Sequence, residues 1–168
     1  MPIQNQSKLD EAPINDLRAA IEHRATWFYF LVDEARKRGL DAEDFARKAI
    51  FRCGCFHGDT KFGEAGDLKE FAGRFANELT RKIFEMEIAE LTDQRFAVEF
   101  HYCPLVSAWQ KQGVGDPEVE TLCDIAMDGD RGIVSRFPGM TMQLEETIAK
   151  GGKSCRIVIS QEALPGNK

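Results

Sequence analysis

The chain has no uninterrupted apolar stretch of the roughly 18 residues that a membrane-crossing helix requires. Its strongest apolar run, Trp27 to Val32, is short and sits between charges. It has no run of lysine and arginine either, and 22 basic against 28 acidic side chains leave a net charge of −6. Such a surface repels phosphate backbones and anionic lipid, so neither nucleic acid nor a membrane is an expected partner. No basic flank followed by an apolar core opens the sequence, so no signal peptide is expected and the chain reads as cytoplasmic. The phosphate-binding patterns G-x-x-x-x-G-K-[ST] and G-x-G-x-x-G are missing, as are the nucleophile elbow G-x-S-x-G and the metalloprotease pattern H-E-x-x-H. There is no internal repeat, low-complexity tract or Pro/Ser-rich linker.

What remains is an ordinary globular composition, 43% hydrophobic and 30% charged over 168 residues, enough for one domain with a real core. A single domain is expected over residues 10–160, helical over 10–80 and sheet-containing over 81–160. Residues 1–9 and 161–168 are polar and are expected to fray.

Punctuation and periodicity place the elements. Residues 13–38 read as a helix, with Pro13 in the first turn, Gly39 just past the end, and Leu17, Ala20, Ile21, Trp27, Phe28, Leu31 and Ala35 as its apolar stripe. Asp41 caps a second helix reaching about Cys55, and a glycine-bearing loop follows from His57 to Gly66. Asp67 caps a third helix, with Leu68, Phe71, Phe75 and Leu79 on one side. The period then shortens to two. Lys82–Glu90 and Arg95–Tyr102 read as strands joined by a hairpin at Leu91–Gln94. Pro104 opens a short helix ending at Gly113, and Asp116 caps another reaching about Phe137. Met140–Ile148 and Ser154–Ser160 read as two further strands. The expected fold class is α+β: N-terminal helices, then a four-stranded, mainly antiparallel sheet (β-β-α-α-β-β) with helices on one face. The long aromatic helix carries more apolar surface than one sheet can cover, which makes a homodimer the expected assembly.

Five cysteines occur, Cys53, Cys55, Cys103, Cys123 and Cys155. An odd count in a cytoplasmic chain argues against a disulfide framework. Cys103 leaves a strand and precedes Pro104, so it falls at a helix start, where free amides and the helix dipole favour a thiolate. The alternative is a buried thiol at a strand end. Cys123 and Asp124 share a helix; Asp124, Asp128 and Asp130 form either a solvated face or a functional one, with Arg131 placed to neutralise part of it. Cys155 lies on the apolar side of the last strand with Ile157 and Ile159. If that strand lies beside the one ending at Tyr102, three cysteines converge. One thiolate can then attack an electrophilic carbon, or three sulfurs with His101 or Asp124 can hold zinc. His101 leaves the core face of its strand, two residues from Cys103, and is either a proton-transfer partner or an exposed histidine. Cys53-Gly54-Cys55-Phe56-His57 has metal-ligand residue types but a short spacing, and Gly54 reads as a helix-weakening residue.

Three stretches carry a resemblance: His101-Tyr102-Cys103-Pro104-Leu105-Val106, Glu120-Thr121-Leu122-Cys123-Asp124, and Gly151-Gly152-Lys153-Ser154-Cys155-Arg156-Ile157. Over about residues 80–160 the chain resembles the L-2-amino-thiazoline-4-carboxylic acid hydrolase family. It departs at Lys111-Gln112-Gly113, one residue short of the family's Lys-Xaa-Xaa-Gly. It is distantly similar to the four-vinyl-reductase-like small-molecule-binding domains, which share the fold and not the activity. The resemblance implies hydrolysis of a C–N bond in a small cyclic amidine or amide, with Cys103, Cys123, Asp124 and Cys155 at the site. Cys103 is then the expected nucleophile or metal ligand, and His101 or Asp124 the proton carrier. A small-molecule substrate is the expected partner. No cofactor is required on this reading, and zinc is the metal that Cys103, Cys123 and Cys155 would hold. The competing expectation is a sensor-like domain that binds a small molecule or metal without turnover.

Overall fold

The computed structural model describes residues 2–162. The helices are α1 (Ala12–Lys37), α2 (Ala42–His57), α3 (Leu68–Phe75), α4 (Glu78–Phe84), α5 (Pro104–Lys111) and α6 (Asp116–Val134). The strands are β1 (Met86–Leu91), β2 (Arg95–Phe100), β3 (Met140–Glu146) and β4 (Cys155–Gln161). A π-helical turn spans Gly58–Phe62 and a 3-10 turn spans Ile148–Lys150.

All three strand pairings are antiparallel, in the order β1-β2-β4-β3. The expected α+β class, with helices before a four-stranded sheet, is what the chain forms. Phe96, Val98 and Phe100 of β2 and Cys155, Ile157 and Ile159 of β4 are all buried in the core, and period-two alternation puts them on the helix-covered face. The opposite face carries Glu87, Arg95, Glu99, His101 and Arg156. Its ion pairs are Arg156 with Glu99 and Glu145, and Arg95 with Glu90.

Local chemistry sets the boundaries. Asp41, Asp67 and Asn77 each accept the amide three residues ahead and so cap α2, α3 and α4. Gly39 takes φ 72° and donates to the Arg36 carbonyl, which closes α1.

Several expectations change. The helix expected from Asp67 through Leu79 breaks at Ala76, and α4 restarts under the Asn77 cap; Leu79 is exposed. Residues 82–84 belong to α4, so β1 begins only at Met86. Asp116 is not the cap of α6: Gly115 holds that position, and Asp116 Oδ2 accepts the Ile3 amide at 3.4 Å. The strand expected to Ile148 ends at Glu146, where Thr147 caps the 3-10 turn.

On α1 the buried line is Ile14, Arg18, Ala25, Val32 and Ala35, while Trp27 and Leu31 are 64% and 66% exposed. Arg18, only 4% exposed, is the reason for the changed phase. Its guanidinium donates to the carbonyls of Leu9, Lys82 and Ile83, to Ser7 Oγ and to Glu85, and lies 4.5 Å from the Tyr102 ring centre. Glu85 is the one non-glycine residue with positive φ among the described residues, at 49°. Its carboxylate accepts Ser7 Oγ and the amides of Lys8 and Leu9, bonds that offset the roughly 1–2 kcal/mol such a backbone costs.

Residues 3–9 make contacts with the domain. Ile3 is 8% exposed and part of the core. At the other end Gln161 closes β4, and residues 163–168, part of the second expected tail, lie outside the described residues.

Gly54 also departs from expectation. A Cβ there would lie 2.0 Å from the Gly129 carbonyl oxygen, and one on Gly132 would lie 2.2 Å from that of Phe51. These glycines let α2 and α6 touch backbone to backbone; Gly54 is a packing residue, not a helix breaker.

Candidate functional site: a three-thiol cluster at the start of α5

Cys103 is the N-cap of α5, with extended backbone at φ −133° and ψ 112°. Pro104 enforces this, because proline disfavours helical geometry in the residue before it. Cys123 lies in the middle of α6, and Cys155 is the first residue of β4, paired across the ladder with Phe100, the last residue of β2. The β2–β4 pairing thus brings the end of one strand, the start of α5 and the start of another strand to one place.

Cys123 and Cys155 are neighbours there, and Cys103 lies near enough for charge on either to be felt by it. The Cys123 thiol is engaged with the Cys155 sulfur, which also accepts the Ile148 amide at 3.4 Å. Cys155 is the sulfur best able to carry charge: the Cys123 proton and the Ile148 amide hold its pKa below the ordinary thiol range, against burial. Cys123 is pushed far the other way, first because its proton is held by Cys155 and then by burial.

Cys103 differs from the sequence expectation. Its pKa is pushed up to about 12, by burial first and by the charge of Cys155 second. The amides of Val106 and Leu105 pull the other way, but the side chain forms no capping hydrogen bond and the pull is too weak. Desolvation outweighs the helix start, so Cys103 rests as a thiol. It is also the most accessible of the three, half-buried where Cys123 and Cys155 are buried.

Asp130 is a half-buried carboxylic acid near the thiols. Seven residues after Cys123, it shares that face of α6, and its charge reaches both Cys103 and Cys155. Burial raises its pKa to about 6, against the weaker pull of Arg131 and Arg24; among the described residues no hydrogen bond supports its carboxylate. Sequence reading placed it in an acidic run and passed over the i, i+7 spacing that was the available signal.

The expected proton carriers lie elsewhere. Asp124 pairs with Arg47 at 2.7 Å and Arg131 at 2.9 Å, and Asp128 bonds the same two arginines. Burial works against ionisation of Asp124, but hydrogen bonds from Arg131 and Arg47 prevail and hold its pKa low. This square of charges ties α2 to α6. His101 lies on the uncovered sheet face, 3.5 Å from Glu87 and 3.9 Å from Glu99. Cys155 and Phe100 lie on the covered face.

Cys53 is exposed, and Cys55 lies 3.6 Å from Ser135 Oγ. His57 Nδ1 is buried without a partner, and burial, followed by the charges of Lys61 and Arg24, lowers its pKa. Among the described residues no three His, Cys, Asp or Glu side chains are grouped closely enough to hold a metal ion. No described helix is long and apolar enough to cross a membrane.

An α+β domain with an antiparallel sheet, helices on one face and a buried cluster of free thiols at a strand–helix junction is the class this molecule defines. The chain belongs to the L-2-amino-thiazoline-4-carboxylic acid hydrolase family, whose model matches residues 18–159. No curated protein matches it. Among solved structures it is similar to a trafficking protein particle complex subunit 3 from Naegleria fowleri, determined covalently bound to palmitic acid. The TM-score is 0.55 at 12% identity, covering 84% of this chain and 95% of that one, a likeness of fold.

Proposed function

We propose that this protein hydrolyses a C–N bond in a small cyclic amidine or amide of the thiazoline type, with Cys103 as nucleophile. One observation carries the reading: Cys103, at the start of α5, lies near enough to Cys123, Cys155 and Asp130 to feel their charges, and it is the least buried residue of the three cysteines. Family membership supplies the reaction class.

The site's charges assign the roles. Cys103 rests protonated and Asp130 is ionised above about pH 6, so attack by Cys103 on the ring carbon passes its proton to Asp130. The new C–S bond forms as the carbon–heteroatom π pair moves onto the heteroatom. Free amides at the start of α5 stabilise that charge. The ring C–N bond then breaks, and Asp130 gives its proton to the departing nitrogen. Water attacks the carbon and gives a proton to Asp130, which returns it to Cys103 as the thiol leaves. Each group ends as it began.

The test is incubation with 2-amino-thiazoline-4-carboxylate, read as a mass gain of one water. Turnover in the parent chain, lost in a folded Cys103→Ser variant, supports the reading. Full turnover in that variant removes Cys103 from it.

A second reading is a binding domain without turnover. The high pKa of Cys103 favours it, since a thiol that rests protonated is a poor nucleophile without a working base. The solved neighbour carries palmitic acid covalently, and a lasting adduct on this chain's thiol is the analogous outcome. A stoichiometric mass increase on Cys103 with no product release selects this reading.

A further inference from the structure

We propose that Asn5 is a positioning residue for Cys103, clamping its backbone from the N-terminal strap; this rests on the cluster being the working site. The Asn5 side-chain amide bonds both polar groups of the Cys103 backbone. Nδ2 donates to the Cys103 carbonyl and Oδ1 accepts the Cys103 amide, each at 2.8 Å. The two residues are 98 positions apart, and the family match begins only at residue 18, so it assigns Asn5 nothing.

The geometry answers a specific need. Cys103 is extended and precedes a helix, so its amide has no partner in β2 or in α5. Pro104 restrains ψ and the Ser107 amide already holds the Cys103 carbonyl, so the amide and φ are what Asn5 adds to the restraint. Asn5 takes the place of a neighbouring antiparallel strand. Only a carboxamide offers donor and acceptor side by side at this reach. Aspartate can accept but not donate, and serine is too short.

The strap is itself fixed on both sides of Asn5. The Ile3 amide meets Asp116, the Ile3 carbonyl accepts Gln110 at 3.3 Å, and the Ile3 side chain is in the core. Beyond Asn5, Ser7 and Leu9 are held by Arg18 and Glu85. Asn5 therefore links a strap held on both sides to the backbone of Cys103.

The experiment follows iodoacetamide alkylation of Cys103 against pH in the full chain, read by peptide mass so that Cys53 and Cys55 serve as internal controls. The variants are Asn5→Leu, Asn5→Asp and Ser7→Ala, the last loosening the same strap without touching Cys103. Asn5→Leu is expected to change the Cys103 rate or shift its pH midpoint by about tenfold in effect, the scale of two lost hydrogen bonds. Asn5→Asp, keeping one bond, falls between, and Ser7→Ala lowers thermal stability with the Cys103 profile unchanged. The proposal is overturned if Ser7→Ala and Asn5→Leu alter Cys103 equally at matched stability, or if neither does. Should Asn5→Leu fail to fold, Asn5→Asp against Ser7→Ala decides by the same criterion. A chain without turnover sinks the hydrolase reading alone, because alkylation still measures what Asn5 does to the thiol.

Discussion

Ile148 and Cys155 are joined by a hydrogen bond in the thiol cluster: the Ile148 amide donates to the Cys155 sulfur at 3.4 Å and, after the Cys123 proton, helps hold its pKa low. The Cys155 charge is also one of the two main reasons that Cys103 resists ionisation.

Replacing Cys155 therefore separates reactivity from catalysis. In Cys155→Ala the Cys103 pKa falls, and Cys103 alkylates faster at neutral pH. Turnover of a ring substrate is expected to persist, because Asp130 and not Cys155 receives the Cys103 proton. Site-resolved alkylation and a turnover assay on the same preparation check both halves; slower alkylation of Cys103 contradicts the charge assignment.

Asp130 sets a pH dependence of stability. Its folded pKa, about 6, lies above the ordinary 3.8, so the native state binds the proton more tightly than the unfolded chain. The resulting penalty is fully present above about pH 6 and fades as pH falls through 6 toward 4. Asp130→Asn is expected to stabilise by at most about 3 kcal/mol at pH 8 and by almost nothing at pH 4. Urea unfolding at the two pH values measures it, and an equal gain at both contradicts the assignment.

Two glycine substitutions should act in opposite directions. Gly54→Ala drives a methyl into the Gly129 carbonyl and forces α2 from α6, at about 2 kcal/mol or more. Gly73→Ala, with open space around it in α3, gains about 0.5–1 kcal/mol of helix stability. Thermal melts of the pair provide the check.

Removing the Arg18 guanidinium leaves Glu85 without its cation among the described residues. Arg18→Met is expected to cost about 3–5 kcal/mol, the scale for breaking one side of a buried pair, and Glu85→Gln in the same chain should restore part of it. Burial alone would raise the Glu85 pKa, but Ser7, Leu9, Lys8 and Arg18 together hold it below the ordinary value. Its contribution is therefore present above the unfolded carboxylate pKa and lost as pH falls through the lower folded one. Urea midpoints from pH 7 down to pH 3 follow that loss.

Local signals carried most of the fold into the sequence. Asp41, Asp67, Pro104 and Gly39 mark boundaries because each satisfies or forbids a backbone group within a turn of itself. The α1 stripe was misread because its centre is an arginine, and only Glu85, 67 positions away, makes that arginine interior. The adjacency of β2 and β4, which puts Cys155 opposite Phe100, followed from one assumption about strand order. The ionisation of Cys103 did not, because helix-start amides are visible in sequence and desolvation is not. Asn5 was hidden for a further reason: a polar tail residue gains meaning only from the distant backbone it pairs with.

The strand order β1-β2-β4-β3 also has a consequence for synthesis. The last strand to leave the ribosome is an inner one, inserted between two strands made earlier. Until residues 155–161 arrive, β2 and β3 each present a bare edge, and the thiols of Cys103 and Cys123 await their third member. Premature termination upstream of Cys155 would thus leave the β1-β2 hairpin with a bare edge and β3 without a partner, and such a product should be insoluble.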